Sequence, residues 1–500
     1  MTAGRPKRIG ADAIVTCLVI AATALHVRVL TPDISWRNDD TLHYLNHARN
    51  IAAGRPYGDT GYVYSRYSPD IGPANYPPAF PLTLAPIYRY AGLESFTAYK
   101  VSGLAWMALI LALTALWCWR LPPLTRAAGV VAVLACNPVV IRSSVTVVSD
   151  PMFTAVVLAA LFWIDGCQLR GREGIGSSVV TGLLAGIAVE TRSMGVAILA
   201  ALVLRSAVRR FEGWQSAAIA IAVSTALAVA TNRVVHADAT LSDYTSQFLD
   251  YSWRTPLRNV RIYAGDFATE VLWPVPGTSG FAKIALLLFL VVVAAGLRRT
   301  IRERRGLTIF EYFAGPYLAM VLVWPAAQGS RFLLPLLPWA VRLAFVGLDE
   351  IASFFRFANA AWIRRAVVVV VVLSCVPSLA AHARARSTPD EDSVAAPAVR
   401  GLIAFLADRT RPDAVVVAAK PRAIALLANR RAAAFPWRQP DDVALRFVDG
   451  IHASLLVVDR LYPHDVENVA PLVRRNAGRF DVAFANDRFV VLAIRQAAPR

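Results

Sequence analysis

Charged residues are scarce in this 500-residue chain. Asp, Glu, Lys and Arg make up 17% of it, against about 25% in an average soluble domain. Hydrophobic residues account for 56%, and the mean hydropathy is +0.47. This composition excludes an ordinary soluble protein and predicts a polytopic membrane protein.

Lysine and cysteine are also rare, with four lysines among the 52 basic residues and five cysteines in all. The cysteines lie in or beside apolar segments without CxxC spacing, so we expect neither disulfides nor a thiolate metal site. The net charge of +18 does not indicate nucleic-acid binding. The basic residues occur in short stretches between apolar segments, and no basic face carries interleaved aromatic residues.

Long apolar segments dominate the chain. A bilayer core of about 30 Å needs about 20 helical residues, and we interpret eleven segments as spans by this criterion. We take the first as an uncleaved transmembrane helix, because no small-x-small cleavage site precedes Thr31-Pro32. The segments cover residues 11–30, 101–119, 127–147, 151–166, 176–190, 193–208, 214–234, 281–297, 308–326, 331–348 and 366–383.

Basic residues in the short connections predict the orientation. With the N-terminus inside, every short basic connection falls on the cytoplasmic side, as the positive-inside rule requires. The chain is therefore predicted to have a cytoplasmic N-terminus and an external C-terminus. The arginines concerned are Arg120, Arg126, Arg170, Arg172, Arg205, Arg209, Arg210, Arg298, Arg299, Arg302, Arg304, Arg305, Arg356, Arg364 and Arg365.

Two domains follow from this pattern. Residues 1–384 form a transmembrane domain with a long first outer loop at 31–100 and a second outer loop at 235–280. The second loop contains Tyr244, Tyr251, Trp253, Tyr263 and Trp273. Residues 385–500 alternate strand-like and helix-like runs, which predicts a small extramembrane α/β domain.

Two adjacent acids, Asp39 and Asp40, follow the first apolar segment. Apolar residues then recur at helical spacing, which predicts an amphipathic helix that could lie in the membrane interface. Aspartates at a helix start can simply cap it and interact with its dipole. Two in succession exceed what capping requires, so a catalytic role for at least one of them stays open beside the capping interpretation.

The same segment carries His43 and His47. Asp39, His43 and His47 follow an i, i+4, i+8 spacing that could place them on one helix face and bind zinc. Histidines in the membrane interface that bind water or head groups are commoner. We therefore expect no cofactor, and a divalent metal remains the alternative.

These residues resemble a known family. Asp40-Thr41-Leu42-His43-Tyr44 is similar to the Asp-Glu-x-x-aromatic start of the first periplasmic loop in GT-C glycosyltransferases, such as lipid A aminoarabinose transferases and protein O-mannosyltransferases. Tyr76-Pro77-Pro78 resembles the proline-rich end of that loop. The resemblance implies a polytopic α-helical GT-C fold, with a catalytic first loop and a C-terminal extramembrane domain. It maps the family's general base onto Asp40 by the spacing to Tyr44, whereas the neighbouring Asp39 leaves the choice between the two open.

The resemblance extends to three outer helix ends. Asp150 matches an acid found in the second outer loop of many GT-C proteins, although an aspartate before Pro151 is also an ordinary helix cap. Arg192 and Arg331 look like the family's lipid-phosphate contacts, and guanidinium suits bidentate binding of phosphate. The alternatives are a salt bridge from Arg192 to Glu190 and snorkelling of Arg331.

The implied function is sugar transfer from a polyprenyl-phosphate donor to an acceptor hydroxyl, with inversion, at the outer face of a bacterial cytoplasmic membrane. The acceptor is expected to be a glycan, a lipid or a protein. Tyr44, Tyr76, His43 and His47 are expected to line the substrate. A transporter or flippase of a lipid-linked substrate and a non-catalytic scaffold are the alternatives.

Overall fold

The computed structural model describes residues 8–65, 67–68, 71–119, 124–235, 248, 251–355, 360–385 and 390–495. Arg120, Tyr244 and Arg356 lie outside these residues. The chain divides into two compact units. The helical unit comprises residues 1–30, 99–231 and 252–387, and the sheet unit comprises residues 31–98, 232–251 and 388–500.

This division differs from the domain boundary placed on the sequence. The last segment of the sheet unit begins at residue 388, close to the boundary at 385, but the unit also includes the first outer loop. The loop contributes a strand to the sheet of the C-terminal segment, as described below. Pairing between segments so far apart in the chain leaves no local pattern in a sequence.

The helices follow the apolar and amphipathic segments. In chain order they are α1 Arg8–Arg28, α2 Asp39–Ala52, α3 Ala79–Ala91, α4 Phe96–Trp119, α5 Leu124–Cys136, α6 Pro138–Ser144, α7 Asp150–Leu169, α8 Ile175–Thr191, α9 Val196–Val208, α10 Trp214–Val234, α11 Thr255–Asp266, α12 Ser279–Arg304, α13 Ile309–Val323, α14 Leu337–Phe354, α15 Ala360–Ala385, α16 Pro397–Arg409, α17 Pro421–Leu427, α18 Asp441–Gly450 and α19 Ala470–Arg475.

Each of the eleven predicted segments falls on an apolar helix. Among the described residues, six helices are long and apolar enough to cross a membrane, or seven if one bent pair counts as a span. Four others are apolar but shorter: Val19–Arg28, Ile175–Thr191, Ser193–Val208 and Ile309–Val323. The membrane-protein class is thus confirmed, whereas eleven full-length spans are not established.

The bent pair lies inside the predicted span 127–147. Helices α5 and α6 meet at 67° because Pro138 cannot continue the hydrogen-bond ladder of α5. Asn137 caps α6 by accepting from the Val139 amide at 3.0 Å, and its Nδ2 donates to the Val271 carbonyl at 2.8 Å. The break therefore has its backbone groups satisfied within the helical unit.

A six-stranded sheet forms the core of the sheet unit. Its strands are β1 Tyr62–Val63, β2 Val415–Ala418, β3 Arg431–Ala434, β4 Leu455–Asp459, β5 Phe480–Ala485 and β6 Phe489–Ile494, in the spatial order β1-β3-β2-β4-β6-β5. Strands β1, β3, β2 and β4 pair with one another in parallel, whereas β6 pairs antiparallel with both β4 and β5. The continuous apolar runs of β2 and β4 are typical of strands buried on both faces.

The first outer loop is built into this sheet. Strand β1 pairs with β3 in the register Tyr62 to Ala432, and Ser35 forms an isolated bridge with Ser393. Helix α2 is the predicted amphipathic helix, but both its apolar and its polar side chains are buried, including Leu42, His43 and His47. Its polar side chains bind backbone groups of the first loop, so the helix does not present a polar face to solvent, and its position relative to the membrane interface stays a prediction.

Candidate active site

Helix α2 carries the acidic pair in its first turn. Its N-cap is Asn38, whose side chain accepts from the Thr41 amide at 3.4 Å. Neither aspartate is therefore the capping residue. Both side chains sit at the positive end of the helix dipole, where a carboxylate is stabilised.

Asp40 is held by two side chains that converge on one of its oxygens. The Tyr76 hydroxyl donates to Asp40 Oδ1 at 2.6 Å, and Arg422 Nη1 lies 3.5 Å from the same oxygen. Arg422 Nη1 also donates to the Tyr76 hydroxyl at 2.8 Å. The Asp40 side chain remains 24% exposed, so a fixed carboxylate is accessible from outside.

Arg422 is the centre of this arrangement and is completely buried. Its Nη2 donates to the Pro73 carbonyl at 2.7 Å, and its guanidinium lies 5.0 and 4.9 Å from the ring centroids of Tyr62 and Tyr76. Burial opposes its charge, but Tyr76, Tyr62 and the two acids outweigh burial, so the pKa of Arg422 lies above its ordinary value.

A glycine makes room for this guanidinium. Gly72 has φ +98°, and a Cβ there would lie 2.8 Å from Arg422 Nη2. A side chain at position 72 would thus be strained and would displace Arg422. The loop backbone is shaped around the arginine.

Asp39 has a different environment from its neighbour. The residue is 9% exposed, and both carboxylate oxygens are buried without a hydrogen-bond partner among the described residues. Burial raises the pKa of Asp39, while the charges of Lys420 and Arg422 lower it. Burial therefore disfavours the charged form of Asp39, and both of its oxygens remain able to form hydrogen bonds.

His43 and His47 are fully buried and hold the loop together. His43 Nε2 pairs with the Ala74 carbonyl at 2.8 Å, and His47 Nδ1 pairs with the Tyr57 carbonyl at 3.0 Å. Burial is the largest cause that lowers both pKa values, that of His47 to about 3. Both rings are therefore neutral at neutral pH, which suits their contacts with carbonyl oxygens.

The i, i+4, i+8 spacing does not form a ligand cluster. No group of three or more His, Cys, Asp or Glu side chains within the described part of the chain is placed to hold a metal ion. Tyr44, the aromatic residue of the motif, packs 4.8 Å from Tyr76 and 5.0 Å from Phe80 between ring centroids. Tyr44 thus packs against the ring of Tyr76, whose hydroxyl binds Asp40.

The other three predicted site residues belong to the helical unit. Arg192 Nη1 forms an ion pair with Asp150 at 2.7 Å, and its guanidinium lies 4.4 Å from the Phe332 ring centroid. Arg331 lies 5.8 Å from the same ring and donates to Gln328 Oε1 at 3.1 Å. The two predicted arginines are thus brought to one aromatic side chain.

These contacts decide between the alternatives for Arg192. The Asp150 carboxylate is its partner, whereas Glu190 Oε2 is buried without a hydrogen-bond partner among the described residues. The proposed salt bridge between Arg192 and Glu190 is therefore wrong. The extended backbone at Arg192, with ψ 135°, ends α8.

Two arginines of these clusters, Arg142 and Arg422, were missed on the sequence. Arg142, at the end of α6, donates from Nη2 to Glu270 at 2.7 Å and to the Ser330 hydroxyl at 3.2 Å. Ser330 also donates to Glu270 at 2.6 Å. The visible signal was an arginine inside an apolar segment, four residues after a proline. Arg422 is the second residue of α17, four residues beyond the end of β2, and the visible signal was a basic residue where a strand-like run gives way to a helix-like one.

Comparisons with known proteins concern the fold. No protein-family model matches the sequence, and no curated protein sequence matches it. Among solved structures, ArnT from Cupriavidus metallidurans bound to undecaprenyl phosphate is similar over 99% of this chain and 100% of its own, with a TM-score of 0.57 and 14% identity. The apo form of ArnT from the same organism has a TM-score of 0.58 and 16% identity, over 98% of this chain and 100% of its own.

An archaeal protein is similar too. The oligosaccharyltransferase AglB from Archaeoglobus fulgidus, solved with an inhibitory peptide and a dolichol-phosphate, matches over 90% of this chain and 69% of its own, with a TM-score of 0.52 and 12% identity. ArnT and AglB both belong to the GT-C superfamily. The likeness covers nearly the whole chain, and the fold of this protein is the GT-C fold, as the sequence predicted.

Proposed function

We propose that this protein is an integral-membrane glycosyltransferase that moves a sugar from a polyprenyl-phosphate donor to an acceptor hydroxyl. The observation that carries the proposal is the partly exposed Asp40 carboxylate, fixed by Tyr76 and Arg422, on a GT-C fold. The titles of the similar structures name undecaprenyl phosphate and dolichol-phosphate, which supports a lipid-phosphate donor here.

Asp40 would act as the general base. It would accept the proton of the acceptor hydroxyl while that oxygen attacks the anomeric carbon. The bond between that carbon and the phosphate oxygen breaks, and its electron pair leaves with the polyprenyl phosphate. Direct displacement of this kind inverts the anomeric centre.

The environments of the two acids favour Asp40 over Asp39 for this role. Asp40 is accessible and has a fixed orientation, both of which proton transfer at a defined oxygen requires. Asp39 is buried, and burial disfavours its charged form. We therefore assign the base to Asp40 and a hydrogen-bonding role to Asp39.

Arg192 and Arg331 would bind the donor phosphate. Their guanidinium groups share contact with Phe332 and keep their charge in a partly dry site. Such donors stabilise the negative charge that develops on a leaving phosphate. Asp150 would hold Arg192 in position as its counter-ion, and Arg142 would add a third guanidinium at the helix ends.

The distribution of basic residues supports the location of the reaction. With a cytoplasmic N-terminus, the first loop and the C-terminal segment face outward, and the short basic connections face inward. The site would then lie at the outer face of a bacterial cytoplasmic membrane, where a lipid-linked donor replaces a nucleotide sugar.

The proposal is tested with purified protein in lipid nanodiscs, radiolabelled polyprenyl-phosphate sugars and a membrane extract as the source of acceptors. Wild-type protein is expected to release the label from the lipid and transfer it. Asp40→Asn should lower the rate by a factor of about 10² to 10⁴, the range that general-base catalysis contributes.

Asp413→Asn is the matched control. This carboxylate lies in the same unit, is 69% exposed and pairs with Arg411 on the surface. It should leave transfer unchanged. No transfer by the wild type with any donor, or full activity of Asp40→Asn, would contradict the proposal.

A further inference from the structure

The sheet of the sheet unit has a topological switch point between β2 and β4. After β2 the chain forms β3 on one side of β2, and it then returns to form β4 on the other side. In open sheets of parallel strands, ligands bind outside the carboxyl ends of the strands at such a point. Three polar residues follow the ends of β2 and β4 within two to six residues: Lys420, Tyr462 and Asp465.

Polar groups converge at this edge with unused hydrogen-bonding capacity. Lys420 Nζ lies 5.4 Å from the Tyr462 ring centroid and forms no hydrogen bond or ion pair with another side chain in the described ranges. Lys420 is the foremost charge that acts on the buried, unpartnered carboxyl of Asp39. It also acts on Asp465, whose Oδ2 accepts from the Asp459 amide at 2.8 Å.

Aromatic side chains continue the edge beside Lys420. The rings of Tyr462 and His464 lie 5.5 Å apart between centroids, and those of His464 and Trp437 stack at 3.9 Å. All three side chains are half-buried and present part of their surface to the outside. The Arg37 guanidinium lies 5.9 Å from the Tyr462 ring on the side of the first loop.

We propose that this carboxyl-end cluster, formed by Asp39, Lys420, Tyr462 and Asp465, binds a neutral saccharide. The Trp437 ring, stacked on His464 and lying 4.4 Å from the Arg438 guanidinium, supports the cluster from the side. Hydroxyl groups can donate to the acids and accept from the ammonium group, which matches the unsatisfied atoms. Amphipathic aromatic rings offer an apolar face with a polar rim, which suits the ring of a sugar.

The charges at this edge argue for a neutral ligand. An anionic ligand would meet Asp39 and Asp465, and a cationic ligand would meet Lys420 and the nearby Arg37. Both acids are buried, and burial raises the pKa of Asp465 to about 7. Such acids bind hydroxyl groups at a smaller desolvation cost than two fully charged carboxylates would incur.

The cluster also adjoins the proposed base. Asp39 and Asp40 are consecutive in the first turn of α2 and both interact with the charge of Arg422, so an acceptor bound through Asp39 would extend from there toward the Asp40 carboxylate. This inference rests on the proposed function. It identifies the acceptor of the transferred sugar as a glycan or as the carbohydrate part of a larger molecule.

The experiment measures binding and not transfer. Full-length protein in nanodiscs is applied to an array of immobilised neutral, amino and acidic oligosaccharides, and affinities are then measured for the saccharides that bind. We expect neutral saccharides to bind. Lys420→Met and Tyr462→Ala should each weaken that binding about tenfold, the size of one lost charge-assisted hydrogen bond or stacking contact.

Arg495→Ala is the control, since Arg495 is exposed on the sheet unit and pairs with Asp481 on the antiparallel strands. It should bind like the wild type. Binding to no saccharide, binding only to acidic saccharides or inorganic phosphate, or unchanged affinity in both cluster variants would overturn the inference. Asp40→Asn separates the two proposals, because it should lower transfer by the factor of about 10² to 10⁴ given above while the protein still binds the saccharide.

Discussion

The two polar clusters of this protein handle their charges in different ways. In the sheet unit, one completely buried arginine, Arg422, organises Tyr76 and Asp40. In the helical unit, Arg192 and Arg142 each pair with a carboxylate, Asp150 at 2.7 Å and Glu270 at 2.7 Å. The cluster in the sheet unit fixes the Asp40 carboxylate, whereas the cluster in the helical unit holds each arginine in an ion pair with one acid.

This difference bears on what each cluster can do. Arg422 is completely buried and is held by a carbonyl, a hydroxyl and two aromatic rings, so it is not free to move toward a substrate. An arginine paired with one acid at a helix end can share or exchange that partner for a phosphate. We therefore expect the sheet-unit cluster to act by positioning and the helical-unit cluster to act by binding.

Replacement of Arg422 is the severest way to test this comparison. Arg422→Met leaves buried acids without their cation, and removal of one partner of a buried pair costs about 3–5 kcal/mol of folding stability. Transfer should be lost with it. Arg422→Lys keeps the charge but loses the planar guanidinium and its stacking on the tyrosine rings. Its stability and transfer rate should therefore lie between those of the wild type and of Arg422→Met.

Thermal unfolding and transfer rate in nanodiscs measure both effects. Arg430→Met is the control, because Arg430 is also buried but donates to the carbonyls of Ala407 and Thr410. It should destabilise the unit without changing the rate per folded molecule. A folded Arg422→Met with a normal rate would remove Arg422 from its positioning role.

If Arg192 binds the donor phosphate, replacement of Arg192 should lower the transfer rate more than replacement of its partner Asp150. Arg192→Ala should lower the transfer rate by about 10²- to 10³-fold, as for loss of one preorganised donor to a developing anion. Asp150→Asn, which only loosens Arg192, should lower it about tenfold, the size of one charge-assisted hydrogen bond. Equal losses in the two variants, measured with a fixed donor lipid, would instead give Asp150 a direct part in the chemistry.

Loss of one hydroxyl tests the orientation of Asp40. Tyr76→Phe removes the 2.6 Å hydrogen bond to Asp40 and keeps the ring between Arg422 and Tyr44. The rate should fall about tenfold, since hydrogen bonds to charged groups contribute about 1.5–3 kcal/mol. Tyr57→Phe is the control, because the Tyr57 hydroxyl donates to the Tyr76 backbone carbonyl. Similar rates for the two variants would argue against a fixed Asp40.

The smallest expected effect concerns pH. The pKa of His47 is lowered to about 3 in the folded unit, below its value of about 6.5 in an unfolded chain. The unfolded state therefore binds more protons between these values, and stability is lost as the pH falls from about 6.5 toward 3. One such group contributes a slope of at most about 1.4 kcal/mol per pH unit.

His47→Asn keeps a donor for the Tyr57 carbonyl but cannot titrate in this range. Unfolding temperatures in nanodiscs between pH 7.5 and 4.5 should therefore decline less steeply in the variant than in the wild type. His452, on an exposed turn, supplies the control variant His452→Asn, which should keep the wild-type slope. An unchanged slope in His47→Asn would show that His47 does not carry the acid sensitivity.

Much of the fold was predictable because membrane helices are specified locally. Each apolar segment forms a helix that satisfies its own backbone hydrogen bonds, so composition alone locates it. The helix that begins at Asp39 was visible from its periodicity and its polar start. The segments that form α8 and α9 were already recognisable as short, whereas the bend at Pro138 and the shortness of α13 were not, because hydropathy averages over a window longer than these features.

The candidate site was predictable only in part. The positions of Asp39, Asp40, Tyr44 and Tyr76 followed from a short motif, but their different environments did not. Arg422 lies 382 residues beyond Asp40 in the chain, and Lys420 precedes it by two. A basic residue after a strand has the same local pattern whether it faces solvent or neutralises a distant acid.

The sequence by itself determined the class of protein, the places of its apolar helices and the acids at the start of the first loop. These depend on interactions between residues near each other in the chain. The tertiary structure alone decided that β1 joins the C-terminal sheet, that Arg422 fixes Asp40 and that the Asp39 carboxyl has no hydrogen-bond partner among the described residues. Burial and electrostatic partnership depend on which distant segments pack together, and that packing selects the accessible acid of the two.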